Sequence, residues 1–240
     1  MRRVAASLGL FLAGGLLAYA LGVPSVLFNY AVNVDVTPGQ TGAREHVLIA
    51  IAGPTMCLAL GSLAWIAYKR ARGSAAALPL LFVAVFGMGT FVGNLISASF
   101  VGDFSAAAAA LDVPMAGRYA ISAFGAAGVA AVHFLAGREL IRFAPADAGR
   151  VIGVLGVIVL PVVLGTAVVI LVNQPMPSAF VSARAGEASV WIFAVIGAVF
   201  GRDQAGHARA NLESRWMDGA ALLLAILVVR VLVRGVPFTP

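Results

Sequence analysis

Few side chains in this sequence combine an apolar setting with a group that can act as an acid, a base or a metal ligand. The clearest is His133, an imidazole inside a long apolar run, where a polar group costs free energy unless it has a partner. Two interpretations stay open: His133 hydrogen-bonds another helix as a structural group, or it binds a ligand or moves a proton. Asn94, an amide in another apolar run, offers the same choice.

The other titratable residues give weaker signals. His46 directly follows Glu45, and neighbouring side chains on a helix point about 100° apart, which does not suit a shared metal ion. Asp103 is a weak candidate for a metal ligand, as is His133. Cys57 is the only cysteine and lies in an apolar run, so the chain forms no internal disulfide or thiolate cluster. We therefore predict no catalytic residue, no metal and no cofactor.

The composition identifies the solvent of the protein. Hydrophobic residues make up 61% of the chain and charged residues 11%, with a mean hydropathy of +0.99. A soluble domain carries roughly 25% charged residues, so we expect the lipid bilayer to cover most of this chain. The net charge of +6 comes from basic residues in the gaps between apolar runs, which is typical of membrane loops. Nucleic acid is therefore not an expected partner.

The apolar runs predict an all-α fold, a polytopic transmembrane helical bundle of about six to seven spans. We expect one integral membrane domain over 1–240. A helix needs about 20 residues to cross the hydrocarbon layer. The predicted spans lie near 5–32, 47–68, 75–100, 120–140, 151–172, 188–201 and 220–233. The segment 188–201 is short, so it either crosses with help from its flanks or is re-entrant.

The distribution of basic residues predicts the orientation. If all seven segments cross, 11 of the 16 basic residues fall on one side and five on the other, which places the N-terminus in the cytoplasm. If 188–201 is re-entrant, the distribution is ten against six and favours the same orientation. Ala18-Tyr19-Ala20 could be read as a cleavage site, but the apolar run continues beyond it, and we favour an uncleaved first helix. We expect a multi-pass protein of a cell inner membrane.

Two short motifs carry a resemblance to a known family. Ala52-Gly53-Pro54, on a helix that runs on into the basic turn Lys69-Arg70, resembles the Ala-Gly-Pro helix of the site-2-protease-like (M50-type) membrane metalloproteases. The similarity extends to Asn94-Leu95-Ile96 and to Gly102-Asp103. At these places the family has an asparagine-containing helix and a later aspartate that is the third zinc ligand.

The first helix departs from that family. The proteases carry His-Glu-x-x-His there, because residues four apart share a helix face and both histidines can bind zinc. This chain has Ala13-Gly14-Gly15-Leu16-Leu17 at the corresponding place. The resemblance therefore implies a degenerate member without the zinc site, which argues against proteolysis.

We accordingly expect a non-catalytic membrane protein, a pseudoprotease-like or accessory subunit that packs against other membrane protein subunits. The small residues Gly125 and Gly128 would let a neighbouring helix approach closely, and Gly53 and Pro54 belong to the same set of helix-packing positions. The alternative is a transporter or an unorthodox membrane metalloenzyme whose site is built from His133, Asn94 and Asp103.

Overall fold

A computed structural model describes residues 17, 19–21, 23, 25–27, 32–34, 42–74, 76–145, 147, 149–172, 174, 178, 186–201 and 236–238. Among these residues, four helices are long and apolar enough to cross a membrane: Ala43–Arg70, Ala77–Ser99, Met115–Phe143 and Val151–Leu171. They correspond to the predicted spans 47–68, 75–100, 120–140 and 151–172. The protein is thus a helical membrane protein, and a count of six or seven spans goes beyond what the four helices support.

The predicted first span, 5–32, is wrong at 25–27 and at 32, where the chain forms strands, and its part 5–16 lies outside the described residues. Strand β1, Ser25–Leu27, pairs antiparallel with β2, Val32–Val34, and with β3, Val236–Phe238, so that the strand order is β2-β1-β3. Pro24 precedes β1 in the sequence, and a proline disfavours continuation of a helix. The β-branched valines of these segments suit an extended backbone instead. The predicted last span, 220–233, lies outside the described residues.

Helices α1, Ala43–Arg70, and α2, Ala77–Ile96, form an antiparallel hairpin. The turn between them contains Gly73, whose φ of +87° is strained for other residue types. The two helices cross at Gly61 and Gly87. A Cβ added to Gly61 would lie 2.6 Å from the amide nitrogen of Met88, so only glycine permits this approach.

A short connection joins α2 to the next long helix. A 3-10 turn, Ser97–Ser99, follows α2, and the helix α3, Asp103–Ala110, leads into α4, Met115–Leu140. Ser122 of α4 fastens this region, since its hydroxyl donates to the carbonyl of Ile96 at 2.8 Å. The same Ser122 oxygen accepts the amide N–H of Ser99 at 3.2 Å. These bonds fix the end of α2 against the start of α4.

The fourth span is irregular near its middle. Helix α5, Arg150–Val154, continues through a π-helical turn, Leu155–Val159, into α6, Leu160–Val172. The π-turn lies just before Pro161, and a proline inside a helix removes a backbone hydrogen bond of the preceding turn. This span is the least buried of the four.

A last described helix, α7, Ile192–Phe200, packs on α4 and lies within the predicted segment 188–201. The main core lies where these elements meet, between the hairpin, the C-terminal part of α4, the π-turn and α7. Its buried residues are Tyr68, Ala77, Leu81, Val85, Ala136, Leu140, Ile141, Ala144, Val154, Ile158, Ala194 and Ala198.

Candidate functional site

The most elaborate polar arrangement surrounds Glu139, a buried carboxylate at the C-terminal end of α4. Its Oε2 accepts a 2.6 Å hydrogen bond from the hydroxyl of Tyr68 and lies 3.6 Å from Nη1 of Arg142. Its Oε1 accepts a 2.5 Å bond from Nη2 of Arg72 and a second bond from Nζ of Lys69. We call Tyr68, Lys69, Arg72, Glu139 and Arg142 the Glu139 cluster.

Two helix ends position this cluster. Tyr68 and Lys69 belong to the last turn of α1, and Arg72 follows in the turn to α2. Because α1 and α2 run in opposite directions, as do α2 and α4, the C-terminal ends of α1 and α4 meet at the same end of the bundle. Cations near a helix C-terminus are favourable for the helix dipole of α1.

Aromatic rings lie next to the charged ends of Lys69 and Arg72. Nζ of Lys69 lies 4.4 Å from the ring centroid of Trp65, and Cζ of Arg72 lies 5.6 Å from the ring centroid of Tyr68. Both distances are within the range of cation–π attraction. Three cations surround one carboxylate, so the cluster carries a net charge of +2. A carboxylate with this many donors is poorly suited to abstract a proton, but the surplus positive charge suits an anion.

His133 lies on α4 with 6% of its surface exposed. Its Nδ1 is 2.9 Å from the carbonyl oxygen of Val129, one turn earlier. Because a carbonyl only accepts, Nδ1 must carry the proton and donate it. The ring of Trp191 meets the imidazole edge to face, with centroids 5.1 Å apart. The imidazole therefore has a structural partner on its own helix and an aromatic partner on the segment that leads into α7.

Asn94 and Asp103 make other contacts. The side-chain amide of Asn94 donates to the carbonyl of Thr90 at 2.9 Å, which is a bond within α2. Asp103 is the first residue of α3, and desolvation by the surrounding protein raises the pKa of its carboxyl group.

The register of α2 against α4 separates His133 from Asn94 along the bundle. His133 lies opposite Gly89, whereas Gly125 lies opposite Ile96 at the end of α2. Asn94 is five residues beyond Gly89 on α2, a rise of about 8 Å. Within the described residues, the hydrogen bond and the ring contact of His133 are with Val129 and Trp191, so neither joins it to Asn94 or Asp103.

The predicted packing positions fall in two groups. Gly125 lies at the crossing of α2 and α4, where an added Cβ would approach the amide nitrogen of Ile96 to 2.7 Å. An added Cβ at Gly128 would lie 2.8 Å from Cγ1 of Val92. Gly53 is partly buried and Pro54 is buried, and α1 continues through both without a break.

The tightest helix contact was not predicted. A Cβ on Gly137 of α4 would overlap the carbonyl oxygen of Ala194, and a Cβ on Gly197 of α7 would overlap that of Phe134. The sequence signal was the Gly197-x-x-x-Gly201 spacing, which places two small residues on one helix face. Gly201 indeed contacts the backbone of Arg138.

The Glu139 cluster was also missed, although the sequence held a signal for it. The predicted topology places the basic turn after α1 and the end of α4 on one side of the membrane, and Glu139 is the acidic residue within that end. Within the part of the chain that the structure describes, no three His, Cys, Asp or Glu side chains are grouped to hold a metal ion.

The chain was compared with protein-family models, curated proteins and solved structures, and none of the three comparisons gave a match.

Proposed function

We propose that this chain is a non-catalytic, polytopic membrane protein that acts as an accessory or structural subunit and packs against other membrane proteins. The observation that carries the proposal is how its intramembrane polar groups are used. The imidazole of His133 and the amide of Asn94 each donate to a carbonyl of their own helix. Ser122 fastens α4 to the end of α2. The first two groups are thus bonded within their own helices and Ser122 joins two helices, so all three have structural uses, which is what a packing subunit requires.

The close helix crossings support the same proposal. Glycines at three crossings bring helix backbones into contact, at Gly61 with Gly87, at Gly125, and at Gly137 with Gly197. Such crossings give a rigid bundle without large side chains between the helices. The span Val151–Leu171 is the least buried and has the highest hydropathy, so it presents the apolar surface most available to lipid or to a partner helix.

A degenerate relationship to the site-2-protease-like family fits this proposal. It rests on short motifs alone: Ala52-Gly53-Pro54 with the basic turn Lys69-Arg70, Asn94-Leu95-Ile96 and Gly102-Asp103. We further propose a cell inner membrane, with the N-terminus in the cytoplasm. The excess of basic residues on the side that holds Lys69, Arg72 and Arg142 supports this orientation.

Native mass spectrometry after gentle extraction from the native membrane tests the proposal. We expect a complex with other polypeptides and no stoichiometric zinc. Deletion of the gene should then lower the amount or the assembly of the partner found in that complex. A lone chain that carries one zinc ion would contradict the proposal, and so would normal assembly of every membrane complex after deletion.

The His133→Gln variant separates this proposal from transport or metalloenzyme chemistry at His133, Asn94 and Asp103. An accessory subunit should keep its partner when His133 is exchanged, because among the described residues the imidazole bonds its own helix and contacts Trp191. A transporter or enzyme that used this imidazole would lose its activity at normal abundance, and that result would overturn the packing role.

A further inference from the structure

We propose that the Glu139 cluster binds the phosphate group of an anionic phospholipid at its end of the helical bundle. The binding groups are Lys69 and Arg72, whose two positive charges the single carboxylate of Glu139 neutralises only in part. This site is independent of the proposed packing role, because it requires no other protein.

The cluster has more N–H donors than those that bind Glu139. A guanidinium has five N–H donors and an ammonium has three, and one N–H of Arg72 and one of Lys69 point at Glu139. The side chains of Lys69 and Arg72 are 36% and 39% exposed, whereas that of Glu139 is 11% exposed. The carboxylate therefore lies on the inner side of the cluster, and the two cationic side chains stay partly accessible from outside.

The depth of the cluster matches a lipid head group. Helix α1 has 28 residues, and at 1.5 Å per residue it is about 42 Å long, against about 30 Å of hydrocarbon. Its last turn therefore extends into the head-group region. Trp65, just before that turn, and Tyr68, within it, are residue types enriched at this interface. Basic groups between helices at this depth are a recognised setting for anionic lipid head groups.

The surface below the cluster favours a lipid over a soluble phosphate. Ile66 on α1 is 48% exposed, and Leu135 on α4 is 47% exposed. Ile66 lies three residues before Lys69 and hence on the same helix face. A phosphate held by Lys69 would have acyl chains that run along these apolar side chains. Free phosphate would gain nothing from them.

The ligand is tested with the full-length protein in detergent micelles, titrated with phosphatidylglycerol or with phosphatidylcholine and followed by native mass spectrometry. We expect tighter binding of phosphatidylglycerol, weakened by added salt. Equal binding of both lipids would overturn the proposal. Displacement of bound phosphatidylglycerol by inorganic phosphate at equal concentration would assign the site to a soluble anion and would also overturn it.

Charge-matched variants locate the site. Each near-surface cation contributes about fivefold to the affinity for an anionic lipid, so Lys69→Gln with Arg72→Gln should weaken binding about 30-fold. The control, Arg44→Gln with Arg70→Gln, removes the same charge from exposed positions outside the cluster and should change binding less than about fivefold. Equal losses in the two double variants would contradict a defined site.

The single variant Glu139→Gln tests the same site independently of whether the double variant folds. The amide keeps the side-chain shape and removes the negative charge that competes for the cations. We expect tighter binding of phosphatidylglycerol together with lower stability. A purely structural cluster would lose stability without any gain in lipid affinity, and that result would overturn the proposal.

Discussion

The hydroxyl of Tyr68 and Oε2 of Glu139 are joined by a 2.6 Å hydrogen bond, although 71 positions of sequence separate the two residues. This bond joins the C-terminal ends of α1 and α4 directly. Around it, Lys69, Arg72 and Arg142 place their cations on the same carboxylate. A single acidic side chain thereby connects the hairpin of α1 and α2 to the third long helix.

Cys57 should report unfolding of the whole bundle. It is the only cysteine of the chain, it is 3% exposed, and its carbonyl lies against Gly87 at the crossing of α1 and α2. Maleimide should therefore label the protein in mild detergent slowly and label it fully after unfolding in sodium dodecyl sulfate. Fast labelling in mild detergent would contradict the tight crossing.

Loss of the Glu139 carboxylate should destabilise the protein. Hydrogen bonds to charged groups contribute about 1.5–3 kcal/mol, and the exposure of Lys69 and Arg72 lowers the effect, so we expect Glu139→Ala to cost about 1–2 kcal/mol. The stability is measured as the extent of Cys57 labelling at increasing concentrations of denaturant. The matched control is Asp147→Ala, which removes an exposed loop carboxylate and should not shift the unfolding transition. Equal stability of the two variants would contradict a stabilising cluster.

A methyl group at Gly137 should separate α4 from α7. The added Cβ would overlap the carbonyl oxygen of Ala194, and overpacking of a buried contact costs about 1–3 kcal/mol or more. We expect Gly137→Ala to lower the denaturation midpoint or prevent folding. Gly165→Ala is the control, because an added Cβ there meets nothing within 4 Å. Equal denaturation midpoints for Gly137→Ala and Gly165→Ala would contradict a close crossing of α4 and α7.

Removal of the Ser122 hydroxyl should loosen the start of α4. The hydroxyl bonds Ile96, the amide of Ser99 and the hydroxyl of Ser99, so Ser122→Ala should cost about 1 kcal/mol or somewhat more. Ser189→Ala removes an exposed hydroxyl that bonds only the nearby carbonyl of Gly186 and should have a smaller effect. A larger loss at Ser189 would argue against the interhelical role of Ser122.

His133→Leu should be tolerated if the imidazole is structural. An apolar side chain of similar size keeps the packing against Trp191, and the Val129 carbonyl keeps its backbone hydrogen bond within α4, so we expect a change within about 1 kcal/mol. Cys57 labelling measures it. A loss of several kcal/mol would show that the imidazole makes a further bond beyond that to Val129.

The sequence by itself determined that the protein lies in a lipid bilayer and where its four long spans lie. Length and hydropathy are properties of each segment alone, so spans such as 47–68 and 151–172 are predictable without knowledge of their neighbours. The hairpin of α1 and α2 follows as well, because a short polar turn forces adjacent helices to be antiparallel. Gly125 and Gly128 were predictable as packing positions from their small size within an apolar run.

Only the tertiary structure decided which groups meet. The chain has 27 glycines, and nothing local distinguishes Gly137, at the tightest crossing, from Gly165, in open space, because the rotation of each helix about its axis depends on its neighbours. The same rotation turns Glu139 toward Tyr68. The strand Ser25–Leu27 was missed for a related reason, since its partner Val236–Phe238 lies near the other end of the chain. Its pairing with that distant segment depends on the fold of the chain between them.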